Sequence, residues 1–135
     1  MKKIFLDTNF IIDYLVRDEY KNMCQEFLTE GAKRDFQFFI SFLTVANFAY
    51  IVRKASKEVL YKYLLTIDEL FVIVPNTPEQ IREAIKLQSS DFEDALQYST
   101  AISAKCDCII TRNEGDFGFS TIPVLSASDF ANRFF

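Results

Sequence analysis

The stretch Lys2-Lys3-Ile4-Phe5-Leu6-Asp7-Thr8-Asn9 limits the possible folds most strongly, because an apolar run of three residues ends in a carboxylate. Consecutive apolar residues, rather than alternating ones, suit a strand covered on both faces, as in a parallel α/β sheet. Asp7 then stands at the carboxyl end of that strand, where open α/β sheets place their ligands. Thr8 or Asn9 is positioned to cap a helix over 10–16. Asp7 alone could be an ordinary loop acid beside a helix start, so its meaning depends on whether other acids converge on it.

The remaining chain repeats this strand–helix alternation. Tyr20, Met23, Cys24, Phe27 and Leu28 recur three and four apart, which predicts an amphipathic helix over 20–33 closed by Gly31. Residues 37–41 form a second strand. The helix predicted over 43–54 is apolar almost all round and should therefore lie deeply buried. Ser56 caps a helix running to about Leu70, and 71–75 form a third strand stopped by Pro75. Thr77 caps a helix with Pro78 at its first position. Ser90-Asp91-Phe92-Glu93 reads as a capping box opening a helix over 91–105. Residues 108–111 are a fourth strand and 123–125 a short fifth. Ser126 or Ser128 starts a terminal helix. No linker, repeat or low-complexity stretch interrupts the pattern. The expectation is one domain over 1–135, a three-layer α/β/α fold on a sheet of four or five mostly parallel strands.

The sequence contains no His, which removes Ser-His and Cys-His hydrolases, His-ligated zinc and His bases. Chemistry must run on carboxylates, Lys, Tyr, Cys or a hard metal ion. The net charge of -4 does not advertise a nucleic-acid binder, but a carboxylate-bound cation reverses charge locally. Cys24, Cys106 and Cys108 have no disulfide-framework spacing and read as reduced thiols, which fits a cytoplasmic protein. No signal peptide and no membrane-length apolar run is present, so no membrane partner is expected.

Three acids fall where such a fold would gather them. Asp7 ends strand one, Asp94 lies in the first turn of the helix starting at Asp91, and Asp116 follows strand four. If strands one and four are neighbours, all three share one sheet edge. Clustered carboxylates need neutralising, and oxygen-only ligands suit Mg²⁺ or Mn²⁺.

Taken together, Asp7-Thr8-Asn9 with Asp13, the stretch from Asp91 through Asp94 to Gln97, and Thr111-Arg112-Asn113 through Asp116-Phe117 resemble the PIN domain, the metal-dependent nuclease domain of VapC-type toxins. The order and the strand–helix context match from residue 2 to about 130. The resemblance implies a Mg²⁺- or Mn²⁺-dependent ribonuclease in which Asp7, Asp94 and Asp116 correspond to the family's first, third and fourth acids. It also implies an RNA substrate, a homodimer and an antitoxin partner. One position departs from the pattern, since the family's second acid is usually Glu and Asn47 stands there. The lost charge lowers affinity for a second ion, and Asp91 or Glu93 could replace it, although helix capping explains first-turn acids equally simply. The same departure leaves an alternative, a catalytically inactive scaffold that binds nucleic acid or protein.

The neighbouring polar residues each have two readings. Asn9 orients Asp7 or a water, or is a helix cap. Asp13 is a solvated residue, a support behind the site or a direct ligand. Thr111 bonds a ligand or phosphate, or is a strand-end hydroxyl. Asn113 accompanies it in the substrate-facing loop. Arg112, Lys3 and Arg53 meet phosphates or simply charge the surface. Two rival Asp chemistries fit poorly. An aspartyl-phosphate phosphatase wants an acid at position 9, where Asn9 stands, and no lysine follows Thr111 and Arg112 as a phosphoacceptor domain requires.

Overall fold

The computed structural model describes residues 2–135. Strands β1 (Lys3–Leu6), β2 (Gln37–Ser41), β3 (Val72–Val74), β4 (Cys108–Ile110) and β5 (Val124–Leu125) alternate with helices α1 (Thr8–Leu15), α2 (Asp18–Lys33), α3 (Phe42–Ile51), α4 (Lys57–Leu70), α5 (Pro78–Lys86), α6 (Phe92–Ser103) and α7 (Ala127–Phe134). The 5-stranded sheet runs β3-β2-β1-β4-β5, and every pairing is parallel. β1 is central, with Ile4 opposite Phe38 on one side and Phe5 opposite Ile109 on the other.

Ile4, Phe5 and Leu6 are completely buried, and the pleat sends them to opposite faces. Ile4 and Leu6 join Ile40, Ile110, Phe10, Phe27, Phe48 and Phe130 beneath α1, α2, α3 and α7. Phe5 joins Phe39, Ile109 and Tyr98 beneath α6. Two apolar faces explain why the run does not alternate, and they make the three-layer α/β/α arrangement.

Several local expectations are corrected. Asp7, not Thr8 or Asn9, caps α1, because its own Oδ1 accepts from the Thr8 N–H at 2.8 Å. Gly31 does not close α2. It lies buried inside the helix, where an added Cβ would overlap the Phe38 ring. The left-handed residue after α2 is Asp35, at φ 62°. Asp91, not Ser90, caps α6, so residues 90–93 form no capping box. α3 is not deeply buried: only Thr44 and Phe48 are buried, while Phe42, Tyr50 and Ile51 are exposed. Among the described residues no element covers the apolar outer side of α3. Ser126 starts α7, with Oγ accepting from the Asp129 N–H at 3.0 Å. Ser56 and Thr77 cap α4 and α5 as expected, and Gln80 completes a capping box with Thr77.

Candidate functional site

β1 and β4 are neighbours, so their carboxyl ends share one sheet edge. Asp7 leaves β1 there, its N–H donating to the Ile110 carbonyl at 3.1 Å. Its side chain is fixed from both ends, since Oδ1 accepts from Thr8 N–H and Oδ2 accepts from the Thr111 hydroxyl at 3.0 Å. Thr111 is buried and also accepts from the Asn113 N–H at 3.1 Å, so the strand-end hydroxyl ties the post-β4 loop to Asp7. Burial pushes the Asp7 carboxyl above its ordinary range; the bonds from Thr111 and Thr8 oppose this, and the charges of Glu93 and Asp91 add to it.

Asp94 enters from the first turn of α6, where its N–H donates to the Asp91 Oδ1 cap at 3.2 Å. Asp116 enters from the 3₁₀ turn Glu114–Phe117, its N–H donating to the Asn113 carbonyl at 3.0 Å. Asp7, Asp94 and Asp116 all line one cavity of about 370 Å³, with Asp91 and Glu93 in the same wall. Asn9, Asn47 and Asn113 line it too, and Ile12, Tyr50 and Ile51 form its apolar side. Asp94 is pushed up to about 7, first by burial and then by the charges of Asp91, Asp7, Asp116 and Glu93. Among the described residues no Lys or Arg lines the cavity.

Asn47 does not stand alone in place of an acid. Its Nδ2 donates to Glu93 Oε1 at 2.9 Å, so the amide on α3 holds a carboxylate arriving from α6. Asp91, not Glu93, makes the cap bond of α6, while Glu93 still lies in the helix's acidic first turn. Arg112 lies outside the cavity. Its guanidinium grips Asp13, Nε to Oδ2 at 3.0 Å and Nη2 to Oδ1 at 3.3 Å, and lies over the Tyr20 ring. Asp13 is 2% exposed and also pairs with Arg17 at 2.9 Å, so it is neither solvated nor in the cavity wall. This pair, buried on the Asp13 side only, instead fastens the post-β4 loop to α1. Lys3 begins β1, at the sheet edge opposite Asp7, and lies over the Phe39 ring.

Sequence reasoning missed a buried hydroxyl–amide knot. Gln97 Nε2 donates to Thr8 Oγ1 at 2.9 Å and Thr44 Oγ1 at 3.0 Å, and the two hydroxyls lie 2.8 Å apart. Ser41 Oγ donates to Thr44 Oγ1 at 3.2 Å. The knot joins the first turns of α1 and α3 to α6, and so sets the spacing between Asp7, Asn47 and Asp94. Gln97 Oε1 has no hydrogen-bond partner among the described residues. The only signal in the sequence is that Gln97 lies one helical turn beyond Asp94.

The donor set is oxygen only and strongly negative, which suits a hard divalent cation. Among the described residues no three acidic, Cys or His side chains sit close enough to chelate one ion directly. That arrangement still fits Mg²⁺, which keeps several waters and takes one or two protein carboxylates.

Fold and site together define an α/β domain with an acid-lined cleft at the carboxyl edge of a parallel sheet. The family model described as PIN domain matches residues 3–115, and the chain belongs to the PIN domain family. The match ends one residue before Asp116. No curated protein matches the chain significantly. Among solved structures, it resembles VapBC-1 from nontypeable Haemophilus influenzae at 16% identity and TM-score 0.72, over 93% of this chain and 98% of that one. It also resembles a toxin-antitoxin complex from Klebsiella pneumoniae, at 21% identity and TM-score 0.69, over 92% and 97%. FitAcB from Neisseria gonorrhoeae aligns at 22% identity and TM-score 0.68, over 93% and 98%. Among the described residues no helix is long and apolar enough to cross a membrane.

Proposed function

We propose that the protein is a Mg²⁺- or Mn²⁺-dependent endoribonuclease, the toxin of a toxin–antitoxin pair, with its active site in the acid-lined cavity. The observation that carries this is the pocket of Asp7, Asp94, Asp116, Asp91 and Glu93 with no Lys or Arg among the described residues of its wall, where burial first and then the neighbouring charges raise Asp94 to about 7. Unrelieved repulsion of this kind is what a bound cation removes.

Asp7, Asp94 and Asp116 would hold the ion, partly through water. When bound, a divalent ion polarises the phosphodiester and lowers the pKa of a nearby water. Asp7 is the pivotal ligand, because Thr8 and Thr111 fix both of its oxygens. Glu93, steered by the Asn47 amide, supplies from α6 the carboxylate missing on α3. Asn9 and Asn113 offer amides to substrate or water at the rim. Thr111 and Arg112 act from behind, Thr111 on Asp7 and Arg112 on the loop that carries Asn113 and Asp116.

The Klebsiella pneumoniae neighbour, a toxin-antitoxin complex, supports an antitoxin as protein partner. The exposed apolar side chains Tyr61, Leu65 and Leu70 of α4 support a homodimer. Residues 1–135 act as one domain in a cytoplasmic protein.

The test is RNA cleavage over a Mn²⁺ titration by wild type, Asp7→Asn and Asn47→Glu, with ion binding followed by calorimetry. Cleavage and binding are expected in wild type and lost in Asp7→Asn. Asn47→Glu breaks the bond to Glu93 and sets two carboxylates together, so it tightens binding only if a second ion lies between them. Equal cleavage by wild type and Asp7→Asn refutes the site. Wild type that neither binds Mn²⁺ nor cleaves varied RNAs is an inactive scaffold.

A further inference from the structure

The acid cavity does not by itself attract a polyanion, because among the described residues no Lys or Arg lines it. Nucleic-acid affinity comes largely from cations that meet phosphates, and single strands also need aromatic faces on which bases stack. Both features occur together at one place beside the cavity, the C-terminal end of α3.

Ile51 belongs to the wall of the acid cavity and also to the wall of a second cavity of about 460 Å³. Arg53 and Lys54 line that second cavity, with Ala55 and Tyr63, and no carboxylate lines it. The last turn of α3 is thus a ridge with acids on one side and cations on the other. Tyr50 stands on the acid side of this ridge and is 65% exposed.

The Arg53 guanidinium lies over the Tyr50 ring, 4.1 Å from its centroid, and Nη1 donates to the Tyr50 carbonyl at 2.9 Å. Ring and guanidinium therefore hold each other in place before any ligand arrives. That bond uses one of the five guanidinium donors, leaving the others for phosphate oxygens. Among the described residues no carboxylate pairs with Arg53 or Lys54. Arg17 and Arg112, the other arginines near the site, are committed to Asp13.

We propose that the end of α3 is a landing for single-stranded RNA next to the acid cavity. One nucleobase stacks on the open face of Tyr50, and Arg53 with Lys54 holds the adjoining phosphate. A base inside a duplex is already stacked and cannot offer its face to Tyr50, so the landing selects single strands. This rests on the nuclease reading of the acid cavity, and it adds the residues that would hold the strand beside it.

The experiment measures fluorescence anisotropy of a labelled mixed-sequence RNA dodecamer, single-stranded or annealed to its complement. It is done in EDTA at several salt concentrations with wild type, Tyr50→Ala, Tyr50→Phe and Arg53→Gln. Wild type should bind the single strand more tightly than the duplex. Tyr50→Ala should weaken single-strand binding about five- to hundredfold, and Tyr50→Phe, which keeps the ring, should largely restore it. Arg53→Gln should lower the slope of log K against log salt by about 0.7. Circular dichroism checks that each variant is folded, which their exposed positions favour. Unchanged binding by Tyr50→Ala, an unchanged salt slope for Arg53→Gln, or no single-strand binding by wild type overturns the proposal. Tyr50-dependent self-association in light scattering, with RNA binding unaffected, assigns the ridge to a second copy and also overturns it. A parallel Mn²⁺ cleavage assay separates the two readings. Tyr50-dependent binding without cleavage keeps the landing and sinks the nuclease, and cleavage with a KM indifferent to Tyr50 does the reverse.

Discussion

Replacing Asp94 by Asn should stabilise the metal-free protein at neutral pH and do little at low pH. Burial and four neighbouring acids raise the Asp94 carboxyl from an ordinary value of 3.8 to about 7. Between those two values the folded protein holds a proton that the unfolded chain has released. Stability therefore falls as pH rises from about 4 to about 7, and stays lower above that. A separation of about 3 pH units corresponds to about 4 kcal/mol if nothing screens it. Asp94 is only partly buried, and solvent screening reduces this to about 1–2 kcal/mol. Asn is close in shape to the protonated acid, so Asp94→Asn should match wild type near pH 4. Above pH 7 it should be more stable by about 1–2 kcal/mol. Urea denaturation in EDTA at pH 4, 5, 6, 7 and 8 reads this difference directly. Saturating Mn²⁺ should reverse the order, because only wild type retains that ligand. Parallel wild-type and variant curves across this range, or a variant less stable at pH 8, would refute the picture of repelling acids.

Gly31→Ala should destabilise the fold by about 1–3 kcal/mol despite the better helix propensity of Ala, because the new methyl overlaps the Phe38 ring; thermal melting checks it, and an unchanged or raised Tm contradicts the packing. Gln97→Leu should change stability by about 1 kcal/mol or less, since it removes an orphaned acceptor along with two donated bonds. Mn²⁺ affinity should nevertheless fall by about tenfold or more, as α1, α3 and α6 lose their tie. Calorimetry with an unchanged Kd would deny Gln97 its positioning role.

What the sequence determines is what neighbouring residues settle among themselves. Ile4-Phe5-Leu6 announces a strand buried on both faces, and Ser56 and Thr77-Pro78 announce helix starts, because pleat and capping act over a few residues. Asp7, Asp94 and Asp116 stand out from the chain's 19 acids only through the family resemblance, because strand ends and first helical turns alone attract many acids. The partners of those residues are not legible. Thr111 reaches Asp7 across 104 positions, Gln97 reaches Thr8 across 89, and Asn47 reaches Glu93 across 46. No local pattern encodes such bonds; they exist only once the strand order β2-β1-β4 brings α1, α3 and α6 to one edge. The same holds for Asp13, polar and seemingly solvated in the sequence but buried between two arginines in the fold. It holds for Gly31, which resembles a helix stop until the Phe38 ring fills the space beside it. α3 shows the converse, since its apolar composition measures a tendency to be covered, and only the packed structure shows that its Tyr50–Ile51 side is left open.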